Sequence, residues 1–397
     1  MKRPQANDLA IRLRAARKMA GLSMEDLARR LDGLVTKQAI SKYEKGLMKP
    51  SPEVLEKIAK VLSISPAPWL PPYLESRNEP APPALAKQPS FDRDSVSCMR
   101  VADREMDADS NVLAETIRAS EFNPSKVRFR ARRRLPAKLA SSLEHRIADY
   151  MGKYLRVETL LGLILQFRNP LEGLKVATPD EANHAARKVR DAWGLGSAPV
   201  VNLLGRLEAA GIGVLEVETD DTFDGLSGRF ASRPIVVINR NLPLDRVRFT
   251  AAHELAHILC VLPDHESEES LCHEFAASFL LPRAVLENAL RPARHKVTLW
   301  EIKEIKESYG ISLQAIMHRA HALELITDRQ LRHFRETLHA NAWDINEPVA
   351  YRGQERPVRF RQLLNCAVAE NILDLNTAAE LLGVPPSEFK NEIGDIF

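Results

Sequence analysis

Eight prolines fall between Pro66 and Pro89, among them Pro71-Pro72 and Pro82-Pro83. Proline fixes φ and has no backbone donor, so no regular element can run through this stretch. It reads as an extended linker that divides the 397 residues into a head and a body. The spacing predicts a helical head over 1–65, and the linker with a poorly ordered segment over 66–125. A mixed body over 126–290 and a helical C-terminal region over 291–397 follow.

The body is expected to be α+β and mostly helical. Branched residues mark two short strands, Gly213–Val217 and Pro234–Asn239. Helical spacing runs over 137–167, 179–194, 199–210, 245–262, 268–281 and 299–324. No apolar run approaches the roughly 20 residues that span a bilayer, so no membrane role is expected. The N-terminus lacks the apolar stretch of a signal peptide. Cys98, Cys260, Cys272 and Cys366 are scattered, which fits a reducing cytoplasm.

Charge is uneven. Residues 1–60 hold 14 Lys and Arg against 7 Asp and Glu, and the other 337 residues sum to −4. A small basic module on a near-neutral body suits a polyanionic partner. Within it, Ser23 can cap one helix and Thr36 a second, with small Ala28 allowing close packing and Ile40 facing inward. This is the pattern of a helix-turn-helix, with a turn about two residues longer than the shortest forms. Thr36, Lys37, Gln38, Ser41 and Lys42 then lie at the start of the second helix, where DNA is read. Gln can bond adenine in bidentate fashion, and Lys neutralises phosphate. Two such heads on a palindrome make a homodimer the expected form.

The body carries His253-Glu254-Leu-Ala-His257 inside a helical stretch. Spacing i, i+4 puts both imidazoles on one helix face, where they can bind Zn²⁺ or another divalent metal. Glu254 stands beside His253 and can act as general base toward a water on the metal. No third histidine follows at the spacing of the longer zinc motifs, because Pro263 is expected to end the helix. A carboxylate from the next helix is the other common solution, and Glu268, Glu269 and Glu274 are the candidates.

The head resembles the lambda-repressor-like (XRE) helix-turn-helix. The body resembles the ImmA/IrrE family of zincin-like metallopeptidases through Val127–Arg130, Phe223–Ser227, Val237–Asn239, Arg248–His257 and Glu269–Pro282. Tyr309-Gly310-Ile-Ser312, Arg319-Ala320, Trp343 and Glu347-Pro348 extend the match. The resemblance implies that Glu269, six residues before Phe275-Ala-Ala, is the third zinc ligand. Cys272, His273 and Glu274 replace the family's usual residues there, so Cys272 or His273 could also face the metal, and Ala256 stands for the usual glycine.

The implied function is a DNA-binding transcriptional regulator with a zinc endopeptidase body. Its substrate would be a repressor-type regulatory protein, or the chain itself, in stress response, mobile-element or toxin–antitoxin control. The competing reading is a regulator or antitoxin whose body senses a ligand or binds a partner without proteolysis. Secondary expectations are a solvated basic run over Lys126–Arg134 and a turn at Asp224-Gly225 near the substrate edge. The 234–239 strand is expected to offer a peptide-binding edge, and His265 to stabilise an oxyanion or lie exposed. Trp343 and Glu347-Pro348 are expected on a C-terminal helix.

Overall fold

The computed structural model describes residues 5–62, 127–129, 136–219, 223–263, 267–290, 297–344 and 346–394. The proline-rich linker, most of the basic run and His265 lie outside them. The chain divides into two compact units, one of which joins the head to Pro136–Arg146. The second holds Val127–Phe129 and the described residues from Ile147 onward.

In the first unit, helices α1 (Gln5–Met19), α2 (Met24–Arg30), α3 (Lys37–Glu44) and α4 (Pro52–Leu62) enclose Leu13, Leu27, Ile40 and Ile58. Ser23 and Asp26 form a reciprocal capping box on α2, and Thr36 Oγ1 accepts from Ala39 N at 3.2 Å to cap α3. A long helix, α5 (Ala137–Leu161), begins in this unit, where Ser142 Oγ donates to the Met19 carbonyl at 2.8 Å.

A buried ion pair that helical periodicity does not announce locks the head. Arg17 Nε meets Glu44 Oε1 at 2.5 Å and Nη2 meets Oε2 at 2.7 Å, with side-chain exposures of 3% and 2%. Arg17 Nη1 also donates to the Leu22 carbonyl at 2.7 Å. Glu44→Ala leaves a buried cation without its anion, so a loss of about 3–5 kcal/mol is expected. Denaturant unfolding followed by a probe in the head checks it, and a change under 1 kcal/mol contradicts it.

In the second unit, strands β1 (Val127–Phe129), β2 (Gly213–Val217), β3 (Gly225–Phe230) and β4 (Arg233–Asn239) form one sheet in the order β1-β3-β4-β2. β2 runs parallel to β4, while β3 is antiparallel to both β1 and β4. All seven residues of β4 are buried. The strand therefore lies in the middle of the sheet and offers no peptide-binding edge, contrary to the expectation for 234–239. Nor is Gly225 a turn residue, since it opens β3. A Cβ there would meet Thr250 Cγ2 at 2.7 Å and Val237 O at 2.8 Å. Glycine is what lets the next helix lie this close to the sheet.

That helix is α8 (Leu244–Leu259). With α6 (Pro179–Ala192), α7 (Leu203–Ala209), α9 (Ser267–Leu280) and α10 (Arg283–Leu290) it surrounds the core. α9 packs on α6 and α8, and α8 packs on β3 and β4. Ala251, Ala252, Leu255, Ala256, Phe275, Ala276 and Phe279 fill the interface. α8 stops four residues before Pro263. Its exit is set by a bridge, Val176 N to Val261 O and Val261 N to Leu174 O, both 3.0 Å.

Three further expectations need correction. Gly162, at φ 66, ends α5 well short of residue 167. Gly310, at φ 61, splits the expected 299–324 helix into α11 (Leu299–Tyr309) and α12 (Leu313–Ala322). Trp343 and Glu347 follow α13 (Asp328–Ala340) in irregular chain, where Glu347 accepts from Leu313 N at 3.0 Å and holds Lys306 at 2.6 Å.

The chain then ends in α14 (Arg359–Ala369), α15 (Leu375–Leu382) and α16 (Pro386–Ile393). Buried Glu208 ties α14 to the body, its Oε2 accepting from Val358 N at 2.6 Å and Arg359 N at 2.8 Å. Among the described residues Oε1 is buried without a hydrogen-bond partner, and burial pushes the carboxyl up to about 7. The folded protein thus binds this proton more tightly than the unfolded chain. The stability it contributes is complete below about pH 4.5 and is lost as pH rises through about 7. Glu208→Gln should flatten the fall of Tm between these limits, and an unchanged slope contradicts this.

Candidate metal centre

The site is built from one face of α8 and the first turns of α9. His253 and His257 stand one helical turn apart, both nearly buried, and their Nε2 atoms converge to 3.2 Å. From α9, Glu269 brings Oε2 to 3.2 Å from His253 Nε2 and Oε1 to 3.9 Å from His257 Nε2. Bonds of about 2.0–2.1 Å at a tetrahedral centre separate their donor atoms by roughly 3.3 Å. The two nitrogens and the Glu269 carboxylate come close to that spacing. Glu269 is 61% exposed while both imidazoles are 11% exposed, so the centre opens to solvent on the carboxylate side.

His253, His257 and Cys272 also bring donor atoms within 4.8 Å of one another. Cys272 Sγ approaches the other nitrogen of His257, Nδ1, at 3.6 Å. Glu268 Oε1 lies 3.3 Å from the same Nδ1. An acceptor at Nδ1 fixes the proton there and leaves the lone pair on Nε2, the nitrogen that can bind a metal. Burial pushes the Cys272 thiol well above its ordinary range, and the neighbouring Cys260, Glu269 and Glu268 add to this. Cys272 Sγ faces the far nitrogen of His257, whereas the Glu269 carboxylate faces the two Nε2 atoms.

Of the other candidates of α9, Glu274 points elsewhere, while His273 lies beside the site. Glu274 accepts from Asn183 at 2.7 Å and from Arg319 at 3.2 Å. The His273 ring stacks on Phe249 at 5.8 Å and lies 4.7 Å from the His253 ring. A cleft of about 610 Å³, lined in part by Phe249, Gln314, Trp343 and Tyr351, opens one helical turn before His253.

Glu254 sits beneath β3, where Ser227 bonds its carboxylate through both hydroxyl and backbone N–H. Burial dominates all the same and pushes its carboxyl up to about 7, with Glu269 adding to the rise. A carboxyl near neutrality is suited to taking and giving protons. The Ser227 contact was not foreseen, because the short Gly225-Leu-Ser-Gly run carries little strand signal before β4 is seen beside it.

A peptidase-family model described as IrrE N-terminal-like domain matches residues 208–321, which run from the end of α7 to α12 and contain every residue of this site. A model described as Helix-turn-helix matches residues 13–69. The chain joins a helix-turn-helix to an IrrE N-terminal-like domain. No curated protein matches it. The IrrE-like domain is of a metallopeptidase family, and its His253, His257 and Cys272 cluster could hold a metal ion. The helix-turn-helix supports a DNA-binding regulator. Its Thr36, Lys37, Gln38 and Lys42 are exposed and Ser41 is half-exposed, with Lys37 Nζ 3.3 Å from Glu25. No helix among the described residues is long and apolar enough to cross a membrane.

Proposed function

We propose that the chain is a DNA-binding regulator whose IrrE-like domain hydrolyses a peptide bond in a repressor-type protein or in the chain itself. The observation that carries the reading is the convergence of His253 Nε2, His257 Nε2 and the Glu269 carboxylate beside buried Glu254. The donor set, two imidazoles and one carboxylate with an open side, is that of a catalytic zinc. A zinc ion there supplies a Lewis acid that polarises a carbonyl and lowers the pKa of water toward about 7.

The chain's own residues do the rest. His253, His257 and Glu269 would hold the ion, and Glu268 orients His257 through Nδ1. Glu254 takes the proton of the attacking water on a carboxylate oxygen and returns it to the departing amide nitrogen. Ser227 holds that carboxylate in place.

The head would engage DNA through Thr36, Lys37, Gln38, Ser41 and Lys42, as a homodimer on a palindromic site in the cytoplasm. Stress response, mobile-element or toxin–antitoxin control is the setting this reading suits. Purified protein should contain about one zinc per chain, which metal analysis reads. Glu254→Gln should keep zinc and DNA binding while cleavage falls on the order of 10²- to 10⁴-fold. Full activity in that variant would leave a metal-holding body that binds a partner without cutting it.

A further inference from the structure

Among the described residues, the last three helices match the α2–α3 pair of the DNA-binding head at several positions. Asp374 caps α15, its Oδ1 accepting from Thr377 N at 2.9 Å. The fifth residue of α15 is Ala379, fully buried, as Ala28 is the fifth residue of α2. A small residue here lets the next helix cross closely. Gly383, at φ 79, stops α15, and its N–H and that of Val384 both bond the Ala379 carbonyl, at 2.9 and 3.0 Å. Three residues, Gly383-Val384-Pro385, make the connection. Pro386 opens α16, and Phe389, its fourth residue, is fully buried, as Ile40 is the fourth residue of α3. α14 closes the unit with Phe360, Leu363, Leu364 and Ala367, and its Arg361 pairs with Glu392 of α16. The two units differ mainly in the connection, six residues in the head against three here. The shorter turn with its glycine is the common form of the motif.

We infer that α14–α16 form a second helix-turn-helix, which reads base edges in DNA through Ser387, Lys390 and Asn391. These are the second, fifth and sixth residues of α16, the positions that Gln38, Ser41 and Lys42 hold in α3. All three are exposed. Asn can bond adenine in bidentate fashion, Lys suits guanine, and Ser can serve either.

Charge assigns the division of labour. Residues 356–394 hold four basic and five acidic side chains, and Glu388 and Glu392 both lie on α16. Such a unit gains little from phosphate, which dominates affinity. The head, with +7 over residues 1–60, supplies that affinity. A second reader on the same chain then acts at high effective concentration and adds sequence information rather than attraction.

The inference rests on DNA binding by the head, and the experiment separates the two. Full-length protein is used to select sites from a pool of random duplex DNA, in parallel with S387A/K390A/N391A and with K37A/Q38A/K42A. The wild type should enrich a composite motif. The C-terminal triple variant should enrich only part of it and bind the wild-type site at least about tenfold more weakly, with a nearly unchanged salt dependence. The head variant should lose binding to all sites. The three C-terminal residues are exposed, so an unchanged Tm is expected and excludes misfolding. An unaltered motif and affinity in that variant overturns the inference alone and leaves a protein-docking role for the unit. A wild-type chain that enriches no sequence overturns both readings.

Discussion

Glu269→Gln is expected to weaken zinc binding by on the order of 10²-fold or more, whereas Cys272→Ser should leave it within about threefold. The contrast follows from which nitrogen each residue faces. Glu269 stands 3.2 and 3.9 Å from the two Nε2 atoms, on the side they share. Cys272 faces Nδ1 of His257 at 3.6 Å, on the far side of the ring. Removing a charged donor leaves two imidazoles, too few to close a catalytic site. Removing a thiol that faces the far nitrogen leaves the three donors on the shared side intact. Glu268→Gln should fall between, at about 10- to 100-fold, because it loosens the orientation of His257 rather than a bond to the ion. Competition with a chromophoric chelator reads all three. Loss of zinc in Cys272→Ser with retention in Glu269→Gln would reverse the assignment to His253, His257 and Cys272.

Much of this site is legible in the chain because helices convert spacing into geometry. Two histidines four apart on a helix must share a face, so their convergence was readable from five residues. The strongly patterned head was readable for the same reason, down to Ser23, Thr36 and Ile40. Long-range pairings were not. Glu269 could be ranked above Glu268 and Glu274 only by resemblance, since i and i+1 on a helix differ by about 100° and sequence does not fix the helix's rotation. Ser227 became visible only once β3 lay between β1 and β4. The edge assigned to 234–239 failed because a run of branched apolar residues reads the same from sequence wherever its strand sits, and this one is central. The 299–324 helix failed at one residue. Gly310 looks like a tolerated helical glycine, yet a Cβ there would meet Arg248 Nε at 2.5 Å.

That close approach points to the most demanding contact in the body. Arg248 is completely buried five residues before His253. Its Nε donates to the Gly310 carbonyl at 3.2 Å, and Nη2 donates to Val200 O at 2.9 Å and Tyr309 O at 3.0 Å. Nη1 pairs with Glu355, also fully buried. Glu355 Oε2 in turn accepts from Leu204 N at 3.1 Å, at the start of α7. The Tyr351 ring covers the guanidinium at 4.5 Å. One side chain on α8 therefore joins the loop before α7, the α11–α12 break and the segment leading to α14. Arg248→Ala strands a buried carboxylate and three carbonyls, so a loss of about 3–5 kcal/mol is expected. For a body of this size that lowers Tm by on the order of 10 °C. Glu355→Leu alone should cost about as much, by leaving the cation unpaired. Combining it with Arg248→Met should cost less than the two single changes summed, because neither charge is then left alone. Additive losses in that cycle would mean the pair is not coupled and that Arg248 acts through its carbonyl bonds alone.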